Sequence, residues 1–218
     1  MYYNNKDVRL EEMPKPEVGP GEYLMKTMMC GVCGSDVLEW YRIKTAPRVL
    51  GHEAVGVIAE VGAEVERYGA GDKVFVSHHV PCGKCKYCKS GHHTACETLH
   101  TTNYFPGGFS EFIRVPKMNV EKGTYLLPAG VSFEVGVFIE PLACVVRGQR
   151  LAEVGGGDTV LVIGSGVSGL LHVQLAGVRG ADKVIATDIS TYKLNAAKKF
   201  GADEAVIADE SMPEKVKE

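Results

Sequence analysis

The chain has 218 residues, a length that fits one large domain or two modest ones. Apolar residues make up 45% and charged residues 23%, which allows a buried core and argues against intrinsic disorder, and 26 glycines without a three-residue period exclude collagen. A formal net charge of −3 leaves no basic excess for nucleic-acid binding, and the first seven residues contain no apolar run of the secretory-signal type. In chain order, Tyr23–Met29, His52–Val61, Lys73–Ser77 and Phe109–Val115 are short apolar runs broken by Gly and Pro, which read as strands of an irregular β-rich domain. Ser132–Ala152 has helical spacing and is expected to link that domain, residues 1–150, to a second one, residues 151–218. Beyond Gly155-Gly156-Gly157 the pattern becomes strand Thr159–Ile163, helix Val167–Val178, strand Lys183–Thr187 and a helix capped by Ser190 that ends near Phe200-Gly201. A short strand Glu204–Ile207 and the start of another helix at Met212 follow. Strands alternating with helices predict a parallel sheet with crossovers. Thr159–Val178 carries no formal charge, but Gly164, Gly166, Gly169, His172 and Gln174 suit a strand, loop and helix better than a membrane span.

Seven cysteines without a signal peptide point to a reducing compartment, where thiols bind metal or do chemistry. Cys82, Cys85 and Cys88 form CxxCxxC, and Cys96 follows after seven residues. Four thiolates from one lobe, residues 82–96, can close a tetrahedral structural zinc site, with Lys84, Lys86 and Lys89 offsetting its charge. The ferredoxin run closes after three residues and is followed by Pro, which separates this spacing from an iron–sulfur motif. A zinc-ribbon nucleic-acid module would use similar spacing, but the acidic chain argues against it.

Gly164-Ser165-Gly166-Val167-Ser168-Gly169 follows a strand and opens a helix, with Asp188 at the end of the next strand. That context makes GxGxxG a dinucleotide fingerprint. Gly164 permits the tight turn, Gly166 lets the backbone approach the pyrophosphate, and Gly169 lets helix and strand pack closely, with the phosphates at the helix N-terminus beside Val167 and Ser168. Asp188 is expected to accept the ribose hydroxyls and repel a 2′-phosphate, which favours NAD over NADP.

Cys30-Gly31-Val32-Cys33-Gly34-Ser35-Asp36 and Gly51-His52-Glu53 persuade only in company with these motifs. Together with Gly107–Pro116 (GGFSEFIRVP), Ile139–Cys144 (IEPLAC), the cysteine lobe and the glycine loop, they resemble the zinc-dependent medium-chain dehydrogenases, in the family's order along nearly the whole chain. The glutamate in IEPLAC is similar to the polyol (sorbitol) and threonine dehydrogenase branch. The resemblance implies a GroES-like β-barrel catalytic domain followed by the first half of a Rossmann doubly wound parallel sheet, an α/β fold with a β-rich domain. It implies a second, catalytic zinc on Cys33, His52 and Glu140, with Glu53 beside the metal and able to bind it. Such a zinc acts as a Lewis acid on the substrate alcohol. Ser35 matches the hydroxyl that accepts the substrate's proton. The usual relay histidine three residues on is replaced by Leu38, leaving Glu39, Tyr41 or water as the continuation. Trp40 and Tyr41 are candidates for a pocket wall, and Cys30 and Cys144 for packed core thiols.

The implied activity is hydride transfer from a secondary alcohol, polyol or hydroxy-amino acid to NAD, in a cytoplasmic homodimer or homotetramer. Two alternatives are a metal-independent enone or quinone reductase of the same fold and a non-enzymatic zinc and nucleotide-binding module. A full dinucleotide fold has about six parallel strands, and three are readable, so roughly 75 residues of the second half are expected beyond residue 218. The family's return segment to the catalytic domain is expected there too, and a few residues before the start. On this expectation residues 1–218 hold both zinc sites and the adenine side of the cofactor site, with an incomplete nicotinamide pocket and little turnover of their own.

Overall fold

The computed structural model describes residues 1–217, and its first elements are a short antiparallel pair, β1 (Tyr2–Asn4) and β2 (Asp7–Val8). Then come β3 (Tyr23–Gly31), α1 (Glu39–Arg42), β4 (Glu53–Val61) and β5 (Lys73–Val76). The cysteine-rich segment holds α2 (Lys86–Lys89), a 3₁₀ turn at His93–Ala95 and α3 (Glu97–Thr101), and the sheet is completed by β6 (Phe112–Val115), α4 (Lys117–Gly123) and β7 (Thr124–Leu126). The strand order is β6-β3-β4-β5-β7, with every neighbouring pair antiparallel. Among the described residues β6 and β7 do not pair, so the expected barrel is an open five-stranded sheet. β3 runs two residues past its apolar run to Gly31, whereas β4, β5 and β6 are one to three residues shorter than theirs, because Phe109–Glu111 and His52 serve loops that carry the site.

The sheet's core follows from the apolar start of β3. Tyr23 and Met25 are fully buried against Ala54, Ile58, Val74, Val76, Ile113 and Val115. Of the three phenols inside this core, Tyr23 and Tyr68 find hydrogen-bond partners, while the Tyr104 hydroxyl has none among the described residues. Thr124 Oγ1 donates to Asn119 O at 3.0 Å, so the Tyr23 hydroxyl donates to Thr124 Oγ1 at 2.9 Å, and Tyr68 donates to Thr124 O at 2.7 Å. Burial pushes the Tyr23 phenol well above its ordinary pKa.

The helical stretch expected over 132–152 divides into α5 (Phe133–Gly136) and α6 (Ile139–Leu151). Pro141 stands in the first turn of α6, where a missing N–H costs nothing. The chain separates into two units that meet between Glu140 and Pro141, upstream of the change in sequence pattern near 150.

In the second unit β8 (Thr159–Ile163), α7 (Val167–Val178), β9 (Lys183–Asp188), α8 (Thr191–Lys199), β10 (Glu204–Ile207) and α9 (Met212–Lys217) alternate. The sheet is parallel in the order β10-β9-β8, the crossover topology the sequence pattern predicts. Val162, Val173, Ala176, Val184, Ala186 and Ala197 form its own core. The uncharged stretch 159–178 is thus strand, loop and helix, and no helix of the described residues is long and apolar enough to cross a membrane.

Candidate functional site

Cys-Gly-Ser-Asp builds its own turn. Cys33 caps the short 3₁₀ helix Gly34–Val37: its Sγ accepts from Ser35 N at 3.5 Å, and Asp36 Oδ2 accepts from Cys33 N at 3.2 Å. His52 and Glu53 arrive at the head of β4, and the register sets Glu53 opposite Gly31. A Cβ at Gly31 would lie 2.1 Å from Glu53 Oε2, so a larger residue there would displace the Glu53 carboxylate. The backbone ahead of His52 is fixed by Gly108 N donating to Gly51 O at 2.8 Å and Phe109 N donating to Leu50 O at 2.9 Å. The result brings one ligand atom each from Cys33, His52 and Glu53 within 4.8 Å of one another. A mixed sulfur, nitrogen and oxygen set of three fits a zinc that keeps an open coordination place.

Asp36 orients this set. It lies 3.5 Å from His52 Nδ1 and accepts from Arg42 Nη2 at 3.1 Å, leaving the other imidazole nitrogen for a metal. Burial raises the Asp36 carboxyl, but the hydrogen bond from His52 and the charges of His52 and Arg42 outweigh it and hold the group below the usual range. Burial opposes charge on His52 too, yet Asp36 and then Cys33 raise it to about 9. Glu53 and Glu140 are both pushed up, chiefly by burial.

Beside the cluster is a cavity of about 450 Å³ whose walls include Ser35, Asp36, Arg42, His52, His78 and Glu140. Glu140 therefore faces the same cavity but lies outside the three-residue ligand group. The His78 ring is 4.9 Å from that of His52 and 4.0 Å from that of His79, and burial with these neighbours lowers His78 to about 3. Arg42 and the paired histidines are functional candidates that motif reading missed. The one available signal was Leu38, a break in the relay that invites a search one helical turn further on. Glu39 does not fill the gap, since its carboxylate accepts from Asn5 N at 3.1 Å, and Trp40 is 67% exposed. Cys30 is half-buried beside the first core, where burial pushes its thiol up to about 12, whereas Cys144, expected in a core, is exposed.

Cys82, Cys85, Cys88 and Cys96 have all four Sγ atoms within 4.8 Å of one another. The Cys82–Cys88 and Cys85–Cys88 sulfurs are 3.9 and 3.5 Å apart, close to the separation of about 3.8 Å that tetrahedral Zn–S bonds of about 2.3 Å impose. Backbone N–H groups serve the sulfurs: Cys82 Sγ accepts from Lys84 and Cys85, Cys85 Sγ from Cys88, and Cys96 Sγ from Cys82. These bonds draw Cys82 below its ordinary pKa and Cys96 down to about 6, whereas burial pushes Cys88 up to about 12. Lys122, which the motif did not include, donates to Cys82 O.

In the second unit Gly164 has φ +91° between β8 and α7, and a Cβ on Gly169 would lie 1.9 Å from Gly164 O. Only glycine tolerates that contact, and it sets the N-terminus of α7, with Gly166 at its cap and Val167 and Ser168 in its first turn, where a phosphate group would be bound. Asp188 accepts from Ser165 N and from Ser190 N, each at 2.9 Å, and Lys193 Nζ is 3.7 Å away. The carboxylate thus orients the backbone after β9, and the Ser190 side chain makes no cap hydrogen bond, contrary to expectation. Each Asp188 oxygen retains a lone pair for a hydroxyl. The loop and carboxylate fit the adenosine side of a dinucleotide.

The family profile of the alcohol dehydrogenase GroES-like domain matches residues 19–126, and that of zinc-binding dehydrogenases matches residues 168–218. Sorbitol dehydrogenase of Mus musculus is 36% identical over 216 residues, covering 96% of this chain and 60% of its own. L-threonine 3-dehydrogenase of Rhizobium etli is 37% identical over 206 residues, covering 91% of this chain and 58% of its own. Among solved structures, galactitol-1-phosphate dehydrogenase from Escherichia coli has a TM-score of 0.83 at 34% identity, with coverage of 94% of this chain and 59% of that one. The chain spans about three-fifths of the length of the curated relatives it matches.

Proposed function

The chain belongs to the zinc-dependent medium-chain dehydrogenases, and we propose that its protein oxidises a secondary alcohol, polyol or hydroxy-amino acid by hydride transfer to NAD. The observation that carries this reading is the convergence of Cys33, His52 and Glu53, with His52 and Ser35 both on the wall of one cavity. The relatives are named for sorbitol, threonine and galactitol-1-phosphate, which supports this substrate class.

Cys33 and His52 would hold the catalytic zinc, with Glu53 or Glu140 as the carboxylate that approaches it; Cys82, Cys85, Cys88 and Cys96 would hold the structural one. Zinc supplies a Lewis acid that lowers the pKa of an alcohol. Ser35 accepts the alcohol's proton, Asp36 keeps the His52 ring in orientation, and buried Glu53 limits water around the cluster, with half-buried Glu140 on the cavity wall. Gly164, Gly166, Val167, Ser168 and Gly169 hold the pyrophosphate, and Asp188 the adenosine ribose. Assembly as a homodimer or homotetramer and residence in the cytoplasm belong to the same reading, supported by the family resemblance and by cysteines that form no disulfide among the described residues.

The test is a panel of polyols, threonine and simple secondary alcohols with NAD and the full-length protein, together with zinc analysis. The reading expects NADH formation, two zinc ions per chain, and loss of turnover in Cys33→Ala with one zinc retained. Unchanged NADH formation in Cys33→Ala would sink the catalytic assignment. One zinc per chain with enone reduction would favour the metal-independent alternative.

A further inference from the structure

The relay expected from Ser35 stops at Leu38, and the structure puts a different group on the serine. Arg42, at the end of α1, donates through Nη2 to Ser35 Oγ at 2.8 Å and through Nε to Ser35 O at 2.9 Å. The same Nη2 reaches Asp36 Oδ1 at 3.1 Å, and the Arg42 side chain is 12% exposed. A guanidinium has five donors and no acceptor and stays protonated, so it cannot pass a proton on. It can only fix the oxygen it touches.

We propose that Arg42 is the positioning residue for Ser35: its guanidinium occupies one lone pair of Oγ, keeping the other for the substrate's proton and turning the serine's own O–H toward the cavity. This rests on the dehydrogenase reading above. The proton step balances without a relay through position 38. The substrate O–H bond breaks as a new Oγ–H bond forms, and the original Oγ–H proton passes to cavity water, while Arg42 keeps its charge throughout. The cavity that receives this proton is lined by His78 and His79 as well as by the carboxylates of Asp36 and Glu140. Asp36 does not depend on Arg42 alone, since it also holds Cys33 N and faces His52 Nδ1. The arginine's distinctive partner is therefore the serine.

A double-mutant cycle in the full-length protein tests this, using Arg42→Lys, which keeps the cation but not the fork, and Ser35→Ala, which leaves the Arg42–Asp36 pair in place. Arg42→Lys is expected to lower kcat about tenfold to a hundredfold while KM for the alcohol moves less than about threefold. In the Ser35→Ala background the same substitution should change the residual kcat less than about twofold. The visible bands of cobalt placed in the catalytic site should be the same in Arg42→Lys as in wild type, because the metal ligands are not moved. An equal loss in both backgrounds, or shifted cobalt bands, overturns the proposal and makes Arg42 a support of Asp36 and His52 instead. A wild-type protein that oxidises no alcohol overturns the dehydrogenase reading and this proposal together, whereas failed coupling in an active protein overturns only the role of Arg42.

Discussion

Asp188 shows how one side chain can be legible in position and misread in duty. Its place at the end of β9 follows from the strand pattern, yet its carboxylate also takes the backbone N–H of Ser165 and of Ser190, while the Ser190 hydroxyl expected to cap α8 makes no cap hydrogen bond. Those two N–H donors, ahead of the charge of Lys193, hold the Asp188 carboxyl below the usual range. A depressed carboxyl contributes stability that is complete above its unfolded value of about 3.9 and is lost as pH falls through the lower folded value. The stability gap between wild type and Asp188→Asn should therefore be constant above about pH 4 and close on further acidification, read from urea midpoints across that range. A gap that widens with acid would contradict the bonding seen here. In the same variant the dissociation constant for NAD should rise about tenfold to a hundredfold, as for loss of hydrogen bonds to a charged group, and that for NADP should change less. Titration calorimetry with both cofactors reads the difference.

The cysteine lobe poses the energetic question at the scale of elements. α2 and α3 have four and five residues, far below the length of about 12 to 15 at which an isolated helix becomes marginal in water. The lobe's cluster is Cys82, Cys88 and Cys96 with Cys85 and Leu99, so it contains almost no hydrocarbon beyond the sulfurs and one leucine. Its order must come from the metal, whose binding contributes about 10–16 kcal/mol in comparable cysteine-rich folds. Cys88→Ser should lower bound zinc by one ion per chain and open residues 83–101 to protease. The five-stranded sheet, with its separate core, should keep its circular dichroism. Protection of 83–101 in the zinc-free variant would show that packing suffices. The gathering of the four sulfurs was legible because CxxC spacing is local chemistry. The split of 132–152 into α5 and α6 was not, since apolar periodicity continues across the break. Nor was the role of Arg42, because only the folded turn brings a residue seven positions on back to Ser35.

Each unit of the whole molecule carries its own core and its own ligand chemistry. Tyr23, Met25, Ile58 and Ile113 center the first, which holds both candidate metal clusters, whereas Val162, Val173, Val184 and Ala197 center the second, which holds the glycine loop. The change of pattern that predicts two domains is legible because period-two strands and strand–helix alternation differ over many residues. The boundary is not, because the first turn of α6 carries a residue of the first cavity, Glu140, and the helix runs on unbroken to Leu151. Ligands that bind only the folded state stabilise what they bind by mass action, about 2.7 kcal/mol at a hundredfold excess over Kd. Hydrogen exchange on the full-length protein should therefore answer two ligands in two places. NAD should slow exchange most in β8, β9 and the first turn of α7, and Asp188→Asn should abolish much of that effect. Chelation should speed exchange in 82–101 and around Cys33 and His52 while β9 keeps its protection. If NAD instead protected the cysteine lobe first, or chelation loosened β9 as much as the lobe, the assignment of one ligand chemistry to each core would be wrong.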